Sequence, residues 1–327
     1  MKPFTRLPSA LLAVPLAATL LSAGTTPASA MTGIEAEYDA LPQAQDWLGE
    51  PTSEESCGLR DEGCYREYEK GAIYWSPDTG ARAQRGAIYA RWRAEGSEHG
   101  PLGYPVSRET CSDGTCEVRY QRGSITWSEA DGTTVHRDVD EAASAGVVVN
   151  KQRALSPQDY APAPLRDVGG GVQLRDDAAA AYERMSRAAA EQGVELTAVS
   201  GYRDYATQVG LYEQYTSTYG RETADSISAR PGHSEHQTGL AIDVGAPDGS
   251  CALLACFEDT PQGRWVADHA HEYGFVVRYP DGRTGTTGYA YEPWHLRYVG
   301  EDTATSVKNS GKPDLESYLG LPDAPSY

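Results

Sequence analysis

Gly232-His233-Ser234-Glu235-His236-Gln237-Thr238-Gly239-Leu240-Ala241-Ile242-Asp243, followed later in the chain by Glu292-Pro293-Trp294-His295, is the stretch from which the rest is read. His236 and Asp243 can supply a nitrogen and an oxygen ligand to a metal, and His295 a second nitrogen. Glu292 places a carboxylate three residues before that last histidine. Two histidines and one carboxylate leave the fourth position of a tetrahedral zinc open, the arrangement of a catalytic site and not of a closed structural one. His233 is a rival ligand, because His233-x-x-His236 can also chelate, and in a loop opened by Pro231-Gly232 spacing decides little. Nothing in the spacing alone shows that His236, Asp243 and His295 meet.

Working outward, residues 240–244 read as a strand holding Asp243, with His236 in the loop before it and Gly239 allowing close backbone approach. Upstream, residues 174–192 place Leu174, Ala178, Ala181, Met185 and Ala188 on one helical face, with Asp176 and Asp177 in the favourable first turn and Gly193 as the stop. Residues 195–199 alternate like a strand and deliver Ser200-Gly201-Tyr202-Arg203 at its end. Asp204 then caps a helix that Gly220 terminates. Thr260-Pro261 opens another helix, residues 275–279 read as a strand, and the stretch 289–299, which carries Glu292 and His295, passes into a strand at residues 295–299. Helices and strands mix without regular βαβ alternation, so the expected class is α+β, with a small mixed or antiparallel sheet flanked by helices. No serine stands three residues before a lysine, and Gly232-x-Ser234-x-His236 lacks the second glycine of a nucleophile elbow, which argues against serine chemistry.

Ser234-x-His236-x-x-Gly239-x-Ala241-x-Asp243, together with Glu292-Pro293-Trp294-His295, resembles the signature of M15 zinc peptidases, in particular the VanY-like D-alanyl-D-alanine carboxypeptidases. The upstream Ser200-Gly201-Tyr202-Arg203 with Gln208 matches the family as well, and the resemblance spans roughly residues 150–320. It implies zinc held by His236, Asp243 and His295, Glu292 as general base, and Arg203 as the electrophilic partner of the oxyanion. It also implies Ser234 and Gln208 as residues that orient the peptide. The implied substrate is the terminal D-Ala-D-Ala bond of peptidoglycan stem peptides. L,D-carboxypeptidase action on the tetrapeptide stem, or a zinc-stabilised wall-binding module without catalysis, are the alternatives; an intact Glu292 speaks against the module.

The first half carries no such chemistry but is internally repeated. Residues 34–51 end in Leu48-Gly49-Glu50-Pro51, and residues 88–105, of the same length, end in Leu102-Gly103-Tyr104-Pro105. Gly71-Ala72-Ile73-Tyr74-Trp75 recurs as Gly123-Ser124-Ile125-Thr126-Trp127. The units read as mostly strand and turn and resemble LGFP repeats, which implies an exported envelope protein and a possible hold on a cell-wall polymer, with a plain spacer as the competing reading. Cys57 and Cys64, Cys111 and Cys116, and Cys251 and Cys256 form three local couples whose spacing matches no C-x-x-C zinc pattern, so disulfides are expected.

Residues 1–30 combine Lys2 and Arg6, a short apolar run and Ala28-Ser29-Ala30, as in a secretory signal. A secreted or wall-associated protein without a transmembrane anchor is therefore expected. The net charge is −19, and losing Lys2 and Arg6 with the leader makes it more acidic still, which argues against nucleic acid and anionic membranes as partners. The expected organisation is a signal at residues 1–30, two repeats at 31–138, a linker at 139–149 where the chain is acidic and then small, and the zinc domain at 150–327. Residues 147–151 are a candidate first strand of that last part.

Overall fold

The computed structural model describes residues 32–41 and 43–327, so the leader read at residues 1–30 lies outside the described residues. Helices and antiparallel sheets are interleaved, the α+β class expected. In the second half, one four-stranded sheet runs in the order Thr197–Ser200, Ala241–Gly245, Glu292–Tyr298, Phe275–Tyr279, with every pairing antiparallel. Alternation along these strands sends Ile242, Val244, Leu296 and Phe275 into one apolar core with the helix Asp176–Glu191. That helix buries Ala178, Ala181 and Met185 along the face its spacing predicts; a fully buried Met contributes about 1.5–3 kcal/mol. The opposite face of the sheet is left for Asp243 and His295.

Two flanking helices start where their caps place them. The Asp204 carboxylate accepts from Thr207 N at 2.7 Å and opens the helix Tyr205–Tyr219. The Thr260 hydroxyl accepts from Gly263 N at 3.0 Å, with Pro261 in the first position of the helix Pro261–His269.

Residues 139–149, expected as a linker, are held against the second half. Val147, Val148 and Val149 are buried, and Arg297 donates to the carbonyls of Ala145 and Val147 at 3.0 and 2.5 Å. The segment is a strap docked on the second half. No strand forms at residues 147–151, where the ladder is reduced to one bridge between Asn150 and Arg153. Val148 instead packs with Val299, Ala304 and Leu315, the last from the helix Leu315–Leu319.

The two repeats fold alike. Each builds a four-stranded antiparallel meander, from Ser56–Cys57 to Gly80–Arg85 and from Thr110–Ser112 to Gly132–Arg137. Cys57 pairs with Cys64 and Cys111 with Cys116 across the first hairpin of each, and both couples are disulfides, as is Cys251–Cys256. A thiolate metal site is thereby ruled out at these positions. The Leu-Gly-x-Pro motif acquires a physical meaning. Leu48 and Leu102 are fully buried, and Gly49 and Gly103 take left-handed φ of 84° and 72°. The leucine carbonyls accept from Lys70 N and Arg122 N at 2.9 and 3.0 Å, and the prolines bridge to Tyr68 and Tyr120. Helices at Gly33–Asp39 and Gly86–Ala94 open the two units, although strand and turn were expected there. Ile88, Tyr89 and Trp92 share the buried side of the second helix, a short pattern that the surrounding β-favouring runs obscure.

Trp92 joins the two units. Its ring stacks on Tyr120 at 5.7 Å, meets Tyr74 edge-on at 4.8 Å, and donates through Nε1 to Gly103 O at 3.0 Å. Trp92→Ala is therefore expected to cost about 3–5 kcal/mol in the unfolding of the repeats. Denaturant unfolding of the full chain, followed by circular dichroism, reads this; a loss under 1 kcal/mol would show that the units do not depend on a shared core.

Candidate metal centre

Strand register brings the centre together. Asp243 is the direct cross-strand partner of His295 on one side and of Ser200 on the other. Directly opposed residues on antiparallel strands hold their side chains on one face about 4.5–5.5 Å apart, so Asp243 and His295 must meet. His295 Nδ1 lies 3.0 Å from Asp243 Oδ1. His236 arrives from the 3-10 turn Glu235–Thr238, which ends on Gly239 at φ 68°; a side chain there would press on the Arg175 backbone and the Pro162 ring. His236 Nδ1 donates to Gly201 O at 2.8 Å, which turns Nε2 toward Asp243 Oδ2 at 3.4 Å. The Ser200 hydroxyl donates to that same carboxylate oxygen.

These three residues fit a bound cation. Their donor atoms lie within 4.8 Å of one another and all three side chains are buried. Ligands held ~2.0–2.2 Å from one tetrahedral ion sit ~3.3–3.5 Å apart, close to the spacing found here. Asp243 Oδ1 approaches His295 Nδ1 off the hydrogen-bond direction and is buried with no other partner, as expected of an atom shaped to face an ion. Two imidazoles and one carboxylate suit zinc. Charge supports the same conclusion. Burial, with His295 and Arg203 nearby, holds His236 down at about 4, so it is neutral and free to ligate. Burial would also depress His295, but the carboxylates of Asp243 and Glu235 outweigh it and carry the ring up to about 10. The carboxylates of Asp243 and Glu235 thus favour positive charge at His295.

Around the triad the other expected residues take distinct places. Glu292 is outside the ligand set, with Oε2 3.7 Å from His295 Nδ1. Burial, followed by the repulsion of Asp243 and Glu235, lifts it to about 7 against the pull of His295. Arg203 follows the strand Thr197–Ser200, and its backbone N donates to His236 O at 3.1 Å. Burial lowers its pKa while Asp243 opposes the shift, so its guanidinium is within the electrostatic reach of the triad. Gln208, expected to touch the peptide, is fully buried: Oε1 accepts from Arg203 Nη1 at 3.0 Å, and Nε2 donates to Ser228 Oγ and Ala229 O. Ser234 is buried at the head of the 3-10 turn. His233 points elsewhere, its Nδ1 2.8 Å from Asn150 O and its ring against Tyr327.

Sequence reading passed over the layer behind His295. Glu235 Oε1 accepts from Arg278 Nε at 2.7 Å and Arg297 Nη1 at 3.0 Å, and its Oε2 lies 3.4 Å from His295 Nε2. Arg278 continues with two bonds to Glu316, at 2.8 and 2.6 Å. All four charged side chains are completely buried. Glu235 was visible inside the motif but stood as a spacer, and isolated charges such as Arg278 and Glu316 read by default as solvated.

Comparison with known proteins agrees with this geometry. The family model for the VanY D-alanyl-D-alanine carboxypeptidase matches residues 171–301, and the LGFP repeat model matches residues 48–100 and 102–139. The protein YodJ of Bacillus subtilis (strain 168) is 42% identical over 181 residues, covering 53% of this chain and 66% of YodJ. A D-alanyl-D-alanine carboxypeptidase of Enterococcus faecalis (strain ATCC 700802 / V583) is 32% identical over 195 residues, covering 57% of this chain and 69% of that protein. Among solved structures, the LdcB LD-carboxypeptidase superposes with a TM-score of 0.52 at 38% identity, covering 56% of this chain and 88% of that one. The second half of the chain, with its antiparallel sheet and His236, Asp243 and His295 at one point, belongs to the VanY family of D-alanyl-D-alanine carboxypeptidases.

Proposed function

We propose that this chain is an exported zinc carboxypeptidase that removes the terminal D-alanine from peptidoglycan stem peptides. The observation that carries the reading is the convergence of His236, Asp243 and His295 beside a half-buried Glu292 outside the ligand set, on a scaffold shared with named carboxypeptidases. Three disulfides suit an oxidising compartment, in keeping with the leader-like residues 1–30.

His236, Asp243 and His295 would hold zinc, which would supply Lewis acidity and lower the pKa of a water toward ~7. Glu292 is placed to accept the proton of the attacking water as its oxygen adds to the scissile carbonyl carbon. As the carbon–nitrogen bond breaks, the same carboxyl returns the proton to the departing amine, so D-alanine leaves neutral at nitrogen and the base is regenerated. Arg203 donates to the developing oxyanion, a contribution of about 3 kcal/mol for one well-placed donor. Gln208 holds Arg203 from beneath, and with Gln208 fully buried the role left to it is that of a positioning residue. Ser234 stays assigned to peptide orientation. Likeness to the LdcB LD-carboxypeptidase favours a second reading, in which the same centre cuts the tetrapeptide stem.

Incubating the purified protein with pentapeptide and tetrapeptide stems, with and without chelator, and following the products by mass spectrometry separates these readings. Chelator-sensitive loss of alanine from the pentapeptide is the expected result, loss from the tetrapeptide alone would install the L,D reading, and cleavage indifferent to chelator would remove zinc from the account. Glu292→Gln should keep one zinc per chain by metal analysis and lower kcat by about 10²–10⁴-fold. Near-normal turnover in that variant would mean that another group is the base. For the repeats, a hold on a cell-wall polymer predicts that deleting residues 31–137 reduces pelleting with isolated walls, whereas unchanged pelleting would leave them as a spacer.

A further inference from the structure

Glu235 has no part in the reaction just described, yet it is a buried charged group that touches the proposed ligand His295 from behind. Its two oxygens are used differently. Oε1 takes both arginines, Arg278 at 2.7 Å and Arg297 at 3.0 Å, while Oε2 is directed at His295 Nε2. The arginines are themselves anchored. Arg278 is clamped by two bonds to Glu316, and Arg297 by the strap carbonyls of Ala145 and Val147. Glu316 also accepts from Asn150 Nδ2 at 3.0 Å. Two carboxylates and two guanidiniums cancel in charge, so the cluster presents His295 with a fixed acceptor without a net charge of its own. A carboxylate facing Nε2 keeps the ring proton on that nitrogen and leaves the Nδ1 lone pair facing Asp243 and His236, where the ion would be.

We propose that Glu235 is a positioning residue for the metal: it selects the Nε2–H tautomer of His295, orients the ring and strengthens Nδ1 as a donor. The proposal rests on His236, Asp243 and His295 being the zinc ligands. The competing role is purely structural, in which Glu235 only neutralises Arg278 and Arg297.

The test compares zinc affinity, by competition with a chromophoric chelator, in the wild-type protein and the variants His295→Ala, Glu235→Gln and Glu316→Gln, with thermal unfolding alongside. Glu235→Gln should weaken zinc about 10–100-fold. Glu316→Gln, which breaks the same cluster on the side away from His295, should lower the unfolding temperature and leave zinc affinity within about threefold. Zinc affinity within threefold of wild type in Glu235→Gln, or equal weakening in both glutamate variants, overturns the positioning role and leaves the ligand reading intact. Absence of stoichiometric zinc in the wild type, or full zinc retention in His295→Ala, overturns the ligand reading and the proposal with it. Should either glutamate variant fail to fold, nitrogen-15 NMR of the zinc-loaded wild type decides: the proton of His295 on Nε2 supports the proposal, and on Nδ1 overturns it.

Discussion

The pairing of Asp243 with His295 across two central strands is the constraint on which the centre depends. Side chains on a strand alternate with period two, so a slip of one residue would carry Asp243 into the apolar core and Ile242 out of it. Burying an unpaired carboxylate costs several kcal/mol, and exposing Ile242 and Leu296 adds to that, so the hydrophobic pattern that builds the core also enforces the ligand geometry. Ser200, on the far side of Asp243, is fixed by the same register. The strand bearing Ser200 then supplies Gly201, whose carbonyl orients His236, and two residues later Arg203. One ladder thus places two of the proposed ligands directly, and the third and Arg203 through the segment it ends in.

How far this was legible depends on whether the information is local. Helix starts at Asp204 and Thr260 were readable because a cap is an interaction between residues three apart. The metal-binding residue types were readable because so few combinations of histidine and carboxylate suit zinc, but their meeting was not, since it depends on strands pairing over long separations. The charge cluster behind His295 lies further from view. Its contacts join Glu235 to Arg278 and Arg297, and Arg278 to Glu316, residues 38 or more apart. Gln208 shows the related ambiguity of a motif, which marks a residue as needed without saying whether it faces the substrate or the scaffold. Residues 139–149 read as a linker, and Arg297, a residue from elsewhere in the chain, holds them down by satisfying the carbonyls of Ala145 and Val147.

In the repeats the balance is reversed, and almost everything follows from short range. A hairpin closed by a disulfide, a left-handed glycine and a buried leucine whose carbonyl caps the next turn recur in each unit. The helix Gly86–Ala94 joins the units by placing Trp92 against rings from both sides, in a core they share beside the first unit's own cluster around Ile34, Leu48 and Ile73.

The docked strap has a consequence for modularity. The span recognisable as a peptidase, residues 171–301, leaves out groups that its buried arginines bond to. Transplanted by itself it would carry Arg297 without the carbonyls of Ala145 and Val147, and Arg278 without Glu316. Arg278 would lose one partner of a buried ion pair, a defect of about 3–5 kcal/mol, and Arg297 would lose two carbonyl acceptors while keeping Glu235. Recombination that shuffles such domains between proteins therefore meets a barrier at borders drawn by motif, and fusions that carry the strap and the segment through Glu316 along with the catalytic sheet escape it.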